Sequence, residues 1–297
     1  YYIISQQTKN LVINEYKQIM GTIRFSAPMN VTIEKKHIVQ RKYEDYQSLI
    51  SIRKGYSVTE KADGERNLLI TLKNGDMYLM NRNNDIKDIG ANCIELAGSI
   101  IDSEYVLKDK EGKNINLLLL FDIYFFKGID VRKRILNRTS EEMSNEEIEK
   151  SRYEYLLDVQ TLLSAVKLKS NNTLSISLKK FYYGDNDKYN PEIEKKISFL
   201  ESQLVIDGIS KAQQDELNKT ITELRQDTEI FKQCKTIFSK TYLYETDGVI
   251  FTPRNLFVGE DPPKPWNEKM FSGRWYNSFK WKPPEQNTID FLVEIKK

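Results

Sequence analysis

The sequence predicts an α+β fold, because strand patterns come first, helical patterns occupy the middle, and strand patterns return near the end. Apolar residues alternate with polar ones from Tyr56 onward. They recur at helical spacing between about residues 140 and 236, and the alternation returns at Gly248. This order favours segregated strands and helices over a repeated strand-helix-strand unit.

The first strand-rich part carries two informative features. Asn74 and Gly75 separate two apolar runs, and an Asn-Gly pair in that setting is a strong hairpin signal. The run 117–126 is apolar except for Asp122, which predicts a central buried strand whose acid needs a partner. A short helical turn is predicted at 91–98.

The flanking elements follow from the same rules. Residues 1–25 lack clear helix caps and predict no defined element, whereas residues 35–52 are expected to be helical. The helical insert begins with Ser144 and Glu147 at capping-box spacing. Apolar helical stripes and a strand at 174–178 follow, and we interpret such stripes as core positions.

The composition limits the chemistry that is available. The chain has 297 residues, with 45 Lys+Arg against 43 Asp+Glu, so its net charge is only +2 and a polyanion site must be a local basic patch. One histidine, His37, excludes most histidine triads and histidine-rich metal sites. Two isolated cysteines, Cys93 and Cys234, disfavour a zinc site or a disulfide framework and fit a reducing intracellular compartment. No apolar run approaches the length of about 18 residues that a membrane span needs.

The candidate nucleophile is a lysine at the end of a predicted strand. Lys61 is followed by a turn that carries Asp63, Gly64 and Arg66. The two charged residues would frame the lysine, and the glycine allows a positive φ or a close approach of the backbone to a ligand. By itself this string fits a surface turn with solvated charges equally well.

Four further stretches place charges inside apolar strands. They are residues 102–104, 121–122, 245–253 and 280–282. A solvated or snorkelling charge at a strand end explains any one of them alone. Four of them, together with Lys61, indicate a pocket where strand ends converge on a phosphorylated ligand.

These stretches form an ordered set of motifs. They are Lys61-Ala-Asp63-Gly64-Glu-Arg66, Asp102-Ser-Glu104, Leu120-Phe121-Asp122-Ile123, Asp247-Gly248-Val249-Ile250 and Lys280-Trp-Lys282. The set resembles the covalent nucleotidyltransferase superfamily of polynucleotide ligases and mRNA capping guanylyltransferases. The strings 245–253 and 279–291 are similar to the fourth and fifth motifs of the capping enzymes in particular. The Ile-, Asn-, Lys- and Tyr-rich composition is similar to that of capping enzymes from large DNA viruses.

The resemblance spans residues 56–292 and implies a nucleotidyltransferase domain of two antiparallel sheets with flanking helices and a nucleotide pocket between them. We expect one such domain over residues 1–297, with the helical insert at about 140–236. The family places a C-terminal OB domain after the fifth motif, and the chain beyond Asp290 leaves no room for one. We therefore expect an excised catalytic domain that is slow or inactive in its first step unless the missing part is supplied.

The resemblance also implies the reaction of an mRNA guanylyltransferase. Lys61 attacks the α-phosphate of GTP, pyrophosphate leaves, and the lysyl-GMP intermediate passes its GMP to the 5′-diphosphate end of RNA. Mg²⁺ or Mn²⁺ is the expected cofactor, with Glu104 and Asp247 as ligands. RNA triphosphatase and methyltransferase domains of the same or an associated chain are the expected partners, and no membrane is involved. The expected location is a cytoplasmic viral factory or virion if the chain is viral, and otherwise the nucleus.

The other motif residues have implied roles at the nucleotide. Arg66, Arg82 and Glu104 would contact the ribose and neighbouring oxygens. Phe121 would stack on guanine, and Lys179 or its rival Lys180 would contact the base. Asp63 would serve for orientation, and Asp247 would act near the metal and Lys61. Lys280 and Lys282 would bind the α-phosphate, and Asp290 would support these two lysines.

The residue types agree with this chemistry. A lysine nucleophile must be neutral, and a lysine with an ordinary pKa near 10.4 is neutral in about one molecule in a thousand at pH 7.4. Desolvation and nearby cations lower a lysine pKa, and we expect Lys280, Lys282 and Arg66 to supply those cations. Asp63 would oppose that effect, so its expected role is orientation.

One departure and two alternatives accompany the resemblance. Ser103 stands where the family usually has Gly, so the turn at Glu104 is expected to differ. An ATP-dependent DNA or RNA ligase adenylation domain is one alternative function. The other is a non-catalytic module that binds a nucleotide or RNA, although the intact Lys61 and the paired lysines argue against lost catalysis.

Overall fold

The structure is a computed structural model that describes residues 4–38, 50–53, 55–138, 149–164, 166, 174–183, 191–206, 208–226 and 229–286. Within them the helices are α1 (Gln6–Met20), α2 (Lys35–Ile38), α3 (Arg152–Ser164), α4 (Pro191–Leu204), α5 (Lys211–Gln226) and α6 (Glu229–Phe238). The strands are β1 (Met29–Thr32), β2 (Tyr56–Ala62), β3 (Glu65–Thr71), β4 (Asp76–Asn81), β5 (Ile86–Asn92), β6 (Ile100–Lys108), β7 (Asn114–Phe126), β8 (Ile129–Asp130), β9 (Ser175–Leu178), β10 (Tyr182–Tyr183), β11 (Thr246–Pro253) and β12 (Arg274–Trp281).

These strands form two sheets. The larger sheet has the order β5-β4-β3-β6-β7-β8, with β9 beside β7, and the smaller sheet has the order β1-β12-β11-β2-β10. The strand pairs of the described residues are antiparallel except β1 with β12 and β7 with β9. The predicted α+β class with two largely antiparallel sheets is therefore confirmed.

The larger sheet is covered on both faces. Leu69 faces a core that includes Leu156 and Val159 of α3. Its neighbours Leu68 and Ile70 face the opposite core, which α1 completes. Because helices pack on both faces, β7 is apolar along nearly its whole length, as the sequence predicts. The smaller sheet packs its own apolar face against α6.

The predicted hairpin is confirmed. Thr71 of β3 pairs with Met77 of β4, and the Asn74–Gly75 turn joins the two strands. Gly75 has a φ of +87°, where a side chain is disfavoured. Sequence analysis missed strand β5 (Ile86–Asn92) and predicted a helical turn at 91–98, which overlaps the end of that strand. Pairing with β4 extends β5 to Asn92, and only Ile94–Leu96 form a 3₁₀ turn.

The N-terminal helix α1 was also missed. The Ser5 hydroxyl accepts a hydrogen bond from the Thr8 amide at 3.0 Å, so Ser5 caps the helix. Gly21 ends it in the left-handed conformation with a φ of +74°. Val12 and Tyr16 are fully buried against the larger sheet. Ser5 and Gly21 were not recognised as caps, because the apolar residues between them form no clear helical stripe.

Two other helical predictions had different outcomes. The helix predicted at 35–52 is confirmed over Lys35–Ile38, which form α2, and is wrong at its end, because residues 50–52 are not helical. Residues 39–49 lie outside the described residues, and so do Ser144 and Glu147 of the predicted capping box. The structure has a capping box at Ser151 and Glu154 instead, at the start of α3. The Glu154 carboxylate accepts from the Ser151 amide at 2.8 Å.

The acid in β7 has the partner that its burial requires. Asp122 and Arg152 form a buried ion pair, with 2.7 Å between Oδ1 and Nε. Arg152 is the first residue of α3 and its side chain is fully buried. Burial raises the pKa of Asp122, and Arg152 opposes that rise. The ion pair therefore joins the first turn of α3 to strand β7 of the larger sheet.

None of the helices in the described ranges is long and apolar enough to cross a membrane. Helices α4 and α5 pack on each other, and α6 packs on β2 and β10 of the smaller sheet. The division of residues 1–297 into one domain with an insert remains a prediction.

Candidate active site

A cavity of about 930 Å³ lies between the two sheets. Its volume suits a small molecule of nucleotide size. Both sheets contribute to its lining, and so does the segment that connects β9 to β10. The predicted site residues that line it are Lys61, Arg66, Arg82, Glu104, Phe121, Lys179, Lys280 and Lys282.

The part of the site that is predicted to bind phosphate is built on three adjacent strands. β11 lies between β2 and β12, so Asp247 of β11 lies between Lys61 and Lys282. The Lys61 amine lies 2.6 Å and 2.8 Å from the two carboxylate oxygens of Asp247. The Lys282 amine lies 2.6 Å from Oδ2 of the same carboxylate. Lysines more than two hundred residues apart therefore meet, as the sequence predicted, and Lys280 lines the same cavity.

The shared carboxylate carries a shifted pKa. Burial raises the pKa of Asp247, but hydrogen bonds from Lys282 and Lys61 outweigh it and hold the pKa below its usual value. Gly248 follows with a φ of +138°. A Cβ atom there would lie 1.9 Å from the Trp281 carbonyl oxygen. Only glycine therefore lets β11 and β12 approach closely enough to bring the lysine of one to the acid of the other.

Arg66 is held by other protein groups. It forms a bidentate pair with the fully buried Asp102, and its Nη1 donates to the Pro28 carbonyl at 2.8 Å. The Tyr124 hydroxyl also bonds Asp102. Burial alone would lower the pKa of Arg66, but Asp102 and Tyr124 raise it. The guanidinium lies 5.7 Å from the ring centroid of Phe121, so it supports that ring, and its predicted contact with the ribose stays a prediction.

Glu104 and its motif lie within β6. The larger sheet pairs Glu104 with Arg66 across β6 and β3. Burial raises the pKa of Glu104, and Lys179, Arg66 and Lys61 oppose that rise. Ser103 is fully buried inside the strand and donates to the Asn67 carbonyl at 2.8 Å. The altered turn expected at Glu104 is therefore wrong, because the motif is extended strand there.

The structure distinguishes the two rival lysines at the base. Lys179 is buried and lines the cavity, with its amine 5.6 Å from the Phe121 ring centroid. Lys180 is exposed, and its amine lies 5.3 Å from the Tyr182 ring instead. The Lys179 amine donates to the backbone carbonyl of Glu60 at 3.0 Å. Sequence reasoning missed Glu60, although an acid directly before the candidate nucleophile was a visible signal.

Asp63 and Gly64 differ from expectation. Asp63 is exposed and is absent from the cavity lining, and its amide donates to the Glu245 carbonyl at 2.9 Å. Its predicted role in orienting Lys61 stays a prediction. Gly64 has no positive φ. A Cβ atom there would lie 2.6 Å from the Tyr105 carbonyl oxygen, so its close approach is to β6.

The remaining predicted residues lie at the edges of the site. Arg82 is exposed in the turn after β4, where it lines the cavity. Lys280 is half-buried on β12, opposite Ile250 of β11. Its amine makes no hydrogen bond or ion pair with another of the described residues. Asp290 lies outside the described residues.

The acids fit a divalent cation only in part. Among the described residues, no group of three or more His, Cys, Asp or Glu side chains is arranged to hold a metal. Both oxygens of Asp247 already contact lysines. Mg²⁺ commonly binds through one or two carboxylates together with substrate phosphates. The role of Glu104 and Asp247 as ligands therefore stays a prediction, and substrate oxygens would have to supply part of the coordination.

Comparison with protein families gives a match over residues 8–213 to the mRNA capping enzyme, catalytic domain. The chain belongs to this family. Two curated relatives agree with it. The "Probable mRNA-capping enzyme" of Acanthamoeba polyphaga mimivirus is 25% identical over 328 residues, covering 99% of this chain and 23% of the relative. The "mRNA-capping enzyme" of Caenorhabditis elegans is 23% identical over 257 residues, covering 82% of this chain and 31% of the relative.

This capping-family chain thus spans less than a third of the length of these relatives. Among solved structures, the ligase domain from M. tuberculosis LigD is similar with a TM-score of 0.38 at 12% identity, covering 86% of this chain and 59% of that one. Pmar-Lig_Pre. is similar with a TM-score of 0.37 at 14% identity, covering 94% of this chain and 51% of that one.

Proposed function

We propose that this member of the capping family is an mRNA guanylyltransferase that works through a covalent lysyl-GMP intermediate. The observation that carries the proposal is the Asp247 carboxylate that Lys61 and Lys282 share, beside a cavity that these two lysines and Lys280 line. An amine nucleophile beside further cations is the arrangement that transfer of a phosphoryl group to nitrogen requires. Family membership supports nucleotidyl transfer in capping; GTP and the RNA end are part of the proposal.

In the first step the neutral Lys61 amine attacks the α-phosphorus of GTP. A phosphorus–nitrogen bond forms, the bond to the bridging oxygen breaks, and pyrophosphate leaves with that electron pair and takes up the proton that the amine releases. Asp247, whose pKa is lowered, orients the amine and is a weak base. Incoming phosphate offers Lys282 a second anionic partner, so nucleotide binding releases part of the contact that occupies Asp247.

In the second step a β-phosphate oxygen of the 5′-diphosphate RNA attacks the same phosphorus. The phosphorus–nitrogen bond breaks, the new phosphoanhydride joins GMP to the RNA, and Lys61 regains its proton. Lys280 and Lys282 compensate the negative charge that builds up on the transferring group. A bound Mg²⁺ or Mn²⁺, with Glu104 and Asp247 as ligands, would neutralise phosphate charge.

The other end of the cavity suits a purine nucleoside. Phe121 presents a ring for stacking, and Arg66 and Lys179 lie within 6 Å of its centroid. Lys179 supplies a donor at the base, and Glu104 supplies an acceptor for a sugar hydroxyl. Arg82, exposed at the edge of the cavity, is placed for contacts with the ribose or neighbouring oxygens.

The deciding experiment is label transfer to the protein from α-labelled GTP and, separately, from α-labelled ATP in the presence of Mg²⁺. We expect a covalent adduct with GTP, absent in Lys61→Ala, and a mass increase of one GMP. An adduct with ATP alone would favour the ligase alternative. Binding of GTP without any adduct would favour the non-catalytic module.

Partners and location follow from this proposal. The RNA end that accepts GMP carries a diphosphate, so an RNA triphosphatase must act before this chain. A methyltransferase acting on the new cap is the expected consumer. Both, in the same or an associated chain, remain proposals, and so does a viral factory, a virion or a nucleus as the location. Co-purification of a triphosphatase activity with the full-length protein would test the first of them.

A further inference from the structure

A buried carboxylate that the proposed reaction does not use lies next to the base end of the cavity. Glu60 is 3% exposed and directly precedes Lys61 on β2. The Tyr244 hydroxyl donates to its Oε1 at 3.0 Å. The Thr59 hydroxyl lies 2.9 Å from its Oε2 and 3.0 Å from the Lys180 carbonyl. Three elements of the chain thus meet at this one acid.

The acid faces the lysine that lines the cavity. Lys179 is 4% exposed, its amine donates to the Glu60 carbonyl at 3.0 Å, and it lies 3.9 Å from the Glu60 carboxylate. Lys179 lies in the segment that leaves β9 of the larger sheet and enters β10 of the smaller sheet. Its amine therefore ties the connection between the sheets to the strand that carries Lys61.

The charge and the geometry of the Glu60–Lys179 contact indicate that Glu60 orients the Lys179 amine. A buried ammonium is costly unless it has a counter-charge and hydrogen bonds. Glu60 supplies both but does not line the cavity, whereas Lys179 does. An ammonium has three N–H donors, and Glu60 accepts one through its carbonyl. The Glu60 contacts therefore set where the remaining donors point, with the Phe121 ring 5.6 Å from the amine.

We propose that Glu60 is a positioning residue, which fixes the donor of Lys179 and thereby selects a base with a carbonyl acceptor over one with an amino group. Guanine has an oxygen at its six-position where adenine has an amino group. A fixed ammonium donor favours the oxygen and repels the amino hydrogens. This inference rests on the proposed function only for the identity of the preferred base.

The test is a double-mutant cycle on nucleotide selectivity, measured as the ratio of the equilibrium Kd for ATP to that for GTP. Glu60→Gln keeps the shape and removes the charge, and we expect the ratio to fall about tenfold. Lys179→Met should abolish selectivity. The double variant should lose no more than Lys179→Met alone, because Glu60 acts only through that lysine.

Controls separate positioning from a loss of stability. Tyr244→Phe removes one hydrogen bond to Glu60 and should reduce the ratio about threefold; it decides the question if Glu60→Gln does not fold. Tyr56 lies on the same strand as Glu60, and its buried hydroxyl donates to the Asn277 carbonyl of β12. Tyr56→Phe removes that hydroxyl and should leave the ratio unchanged. Unchanged selectivity in both Glu60→Gln and Tyr244→Phe would overturn the inference, and so would losses that add in the double variant.

The two proposals fail separately in these measurements. Because the ratio is measured by equilibrium binding in chains that also carry Lys61→Ala, which should bind without reacting, it is obtained whether or not the wild type forms an adduct. A wild-type chain that binds GTP selectively without an adduct contradicts the proposed function and leaves the role of Glu60 testable. A chain that forms the adduct but keeps its selectivity in Glu60→Gln contradicts only the role of Glu60.

Discussion

At the residue scale, the site depends on one carboxylate that two lysines share. Asp247 contacts Lys61 and Lys282 through short hydrogen bonds. A carboxylate with a lowered pKa stabilises the fold when ionised, and protonation removes that contribution. The two amines would otherwise repel each other. The same residue therefore contributes to stability and holds Lys61, the proposed nucleophile, at the cavity.

Asp247→Asn tests this double role through pH. The pKa of Asp247 is lowered from an ordinary 3.8, so its contribution is present above that value and is lost as pH falls through the lower folded pKa. We expect the variant to be less stable than the wild type at pH 6 and the difference to shrink below about pH 4. Urea unfolding at a series of pH values measures it. A pH-independent difference would contradict the assignment.

Lys282→Gln tests the catalytic side of the same cluster. Loss of one donor to the transferring phosphoryl group is expected to slow adduct formation by about 10² to 10³ while the fold is kept. Single-turnover formation of the adduct measures the rate. Lys180→Gln is the matched control, because that exposed lysine contacts the Tyr182 ring outside the cavity, and its rate should equal that of the wild type.

At the element scale, the position of each site residue follows from strand pairing. β11 pairs with both β2 and β12, and the close contact of β11 with β12 exists only because residue 248 is glycine. A different residue at this one position would separate Lys282 from Asp247. Backbone geometry, and not side-chain choice alone, therefore assembles the phosphate end.

Gly248→Ala is the direct test of that contact. Its Cβ would overlap the Trp281 carbonyl, and its φ of +138° is strained for any side chain, so we expect a loss of about 2–4 kcal/mol and of adduct formation. Gly112→Ala is the control, with a φ of +82° but no atom within 4 Å. It should cost only about 1 kcal/mol and keep activity. Equal costs for the two variants would exclude the steric explanation.

The start of α3 offers a second test at this scale. Hydrogen bonds from Arg138 and Ser151 outweigh burial and lower the pKa of Glu154 to about 2 from 4.5. Its contribution is complete above about pH 4.5 and declines as pH falls toward 2. Glu154→Gln should therefore destabilise the chain by about 1–2 kcal/mol at neutral pH. Chemical unfolding near pH 3 should show a smaller difference, and a larger one there would contradict this prediction.

At the scale of the whole molecule, the cavity lies between two sheets, so a nucleotide bound as proposed would contact both of them. A ligand that binds the folded chain but not the unfolded chain raises the free energy of unfolding by mass action. We expect GTP at a hundred times its Kd to stabilise the chain by about 2.7 kcal/mol. Thermal unfolding of Lys61→Ala, which should bind without reacting, measures this effect. Stabilisation of the wild type with none in Lys61→Ala would show that the adduct, and not binding, links the sheets.

Sequence reasoning predicted the strands around the motifs well, because their alternation and the Asn74–Gly75 turn are local signals. It failed where tertiary packing decides. The apolar residues of α1 show only weak helical spacing, but the helix packs on the larger sheet. Strand β5 forms because it pairs with β4. The roles of Asp102 and Glu60 were also missed, since both act through partners that are distant in the sequence.

The sequence by itself determined the α+β class, the motif residues and the family that they resemble, because residue type and local periodicity are written along the chain. Only the tertiary structure decided that Lys61 and Lys282 share Asp247, that Arg66 is held by Asp102, and that Lys179 rather than Lys180 lines the cavity. Contacts between distant segments depend on strand order and register. These form only when both sheets pack, so no local pattern encodes them.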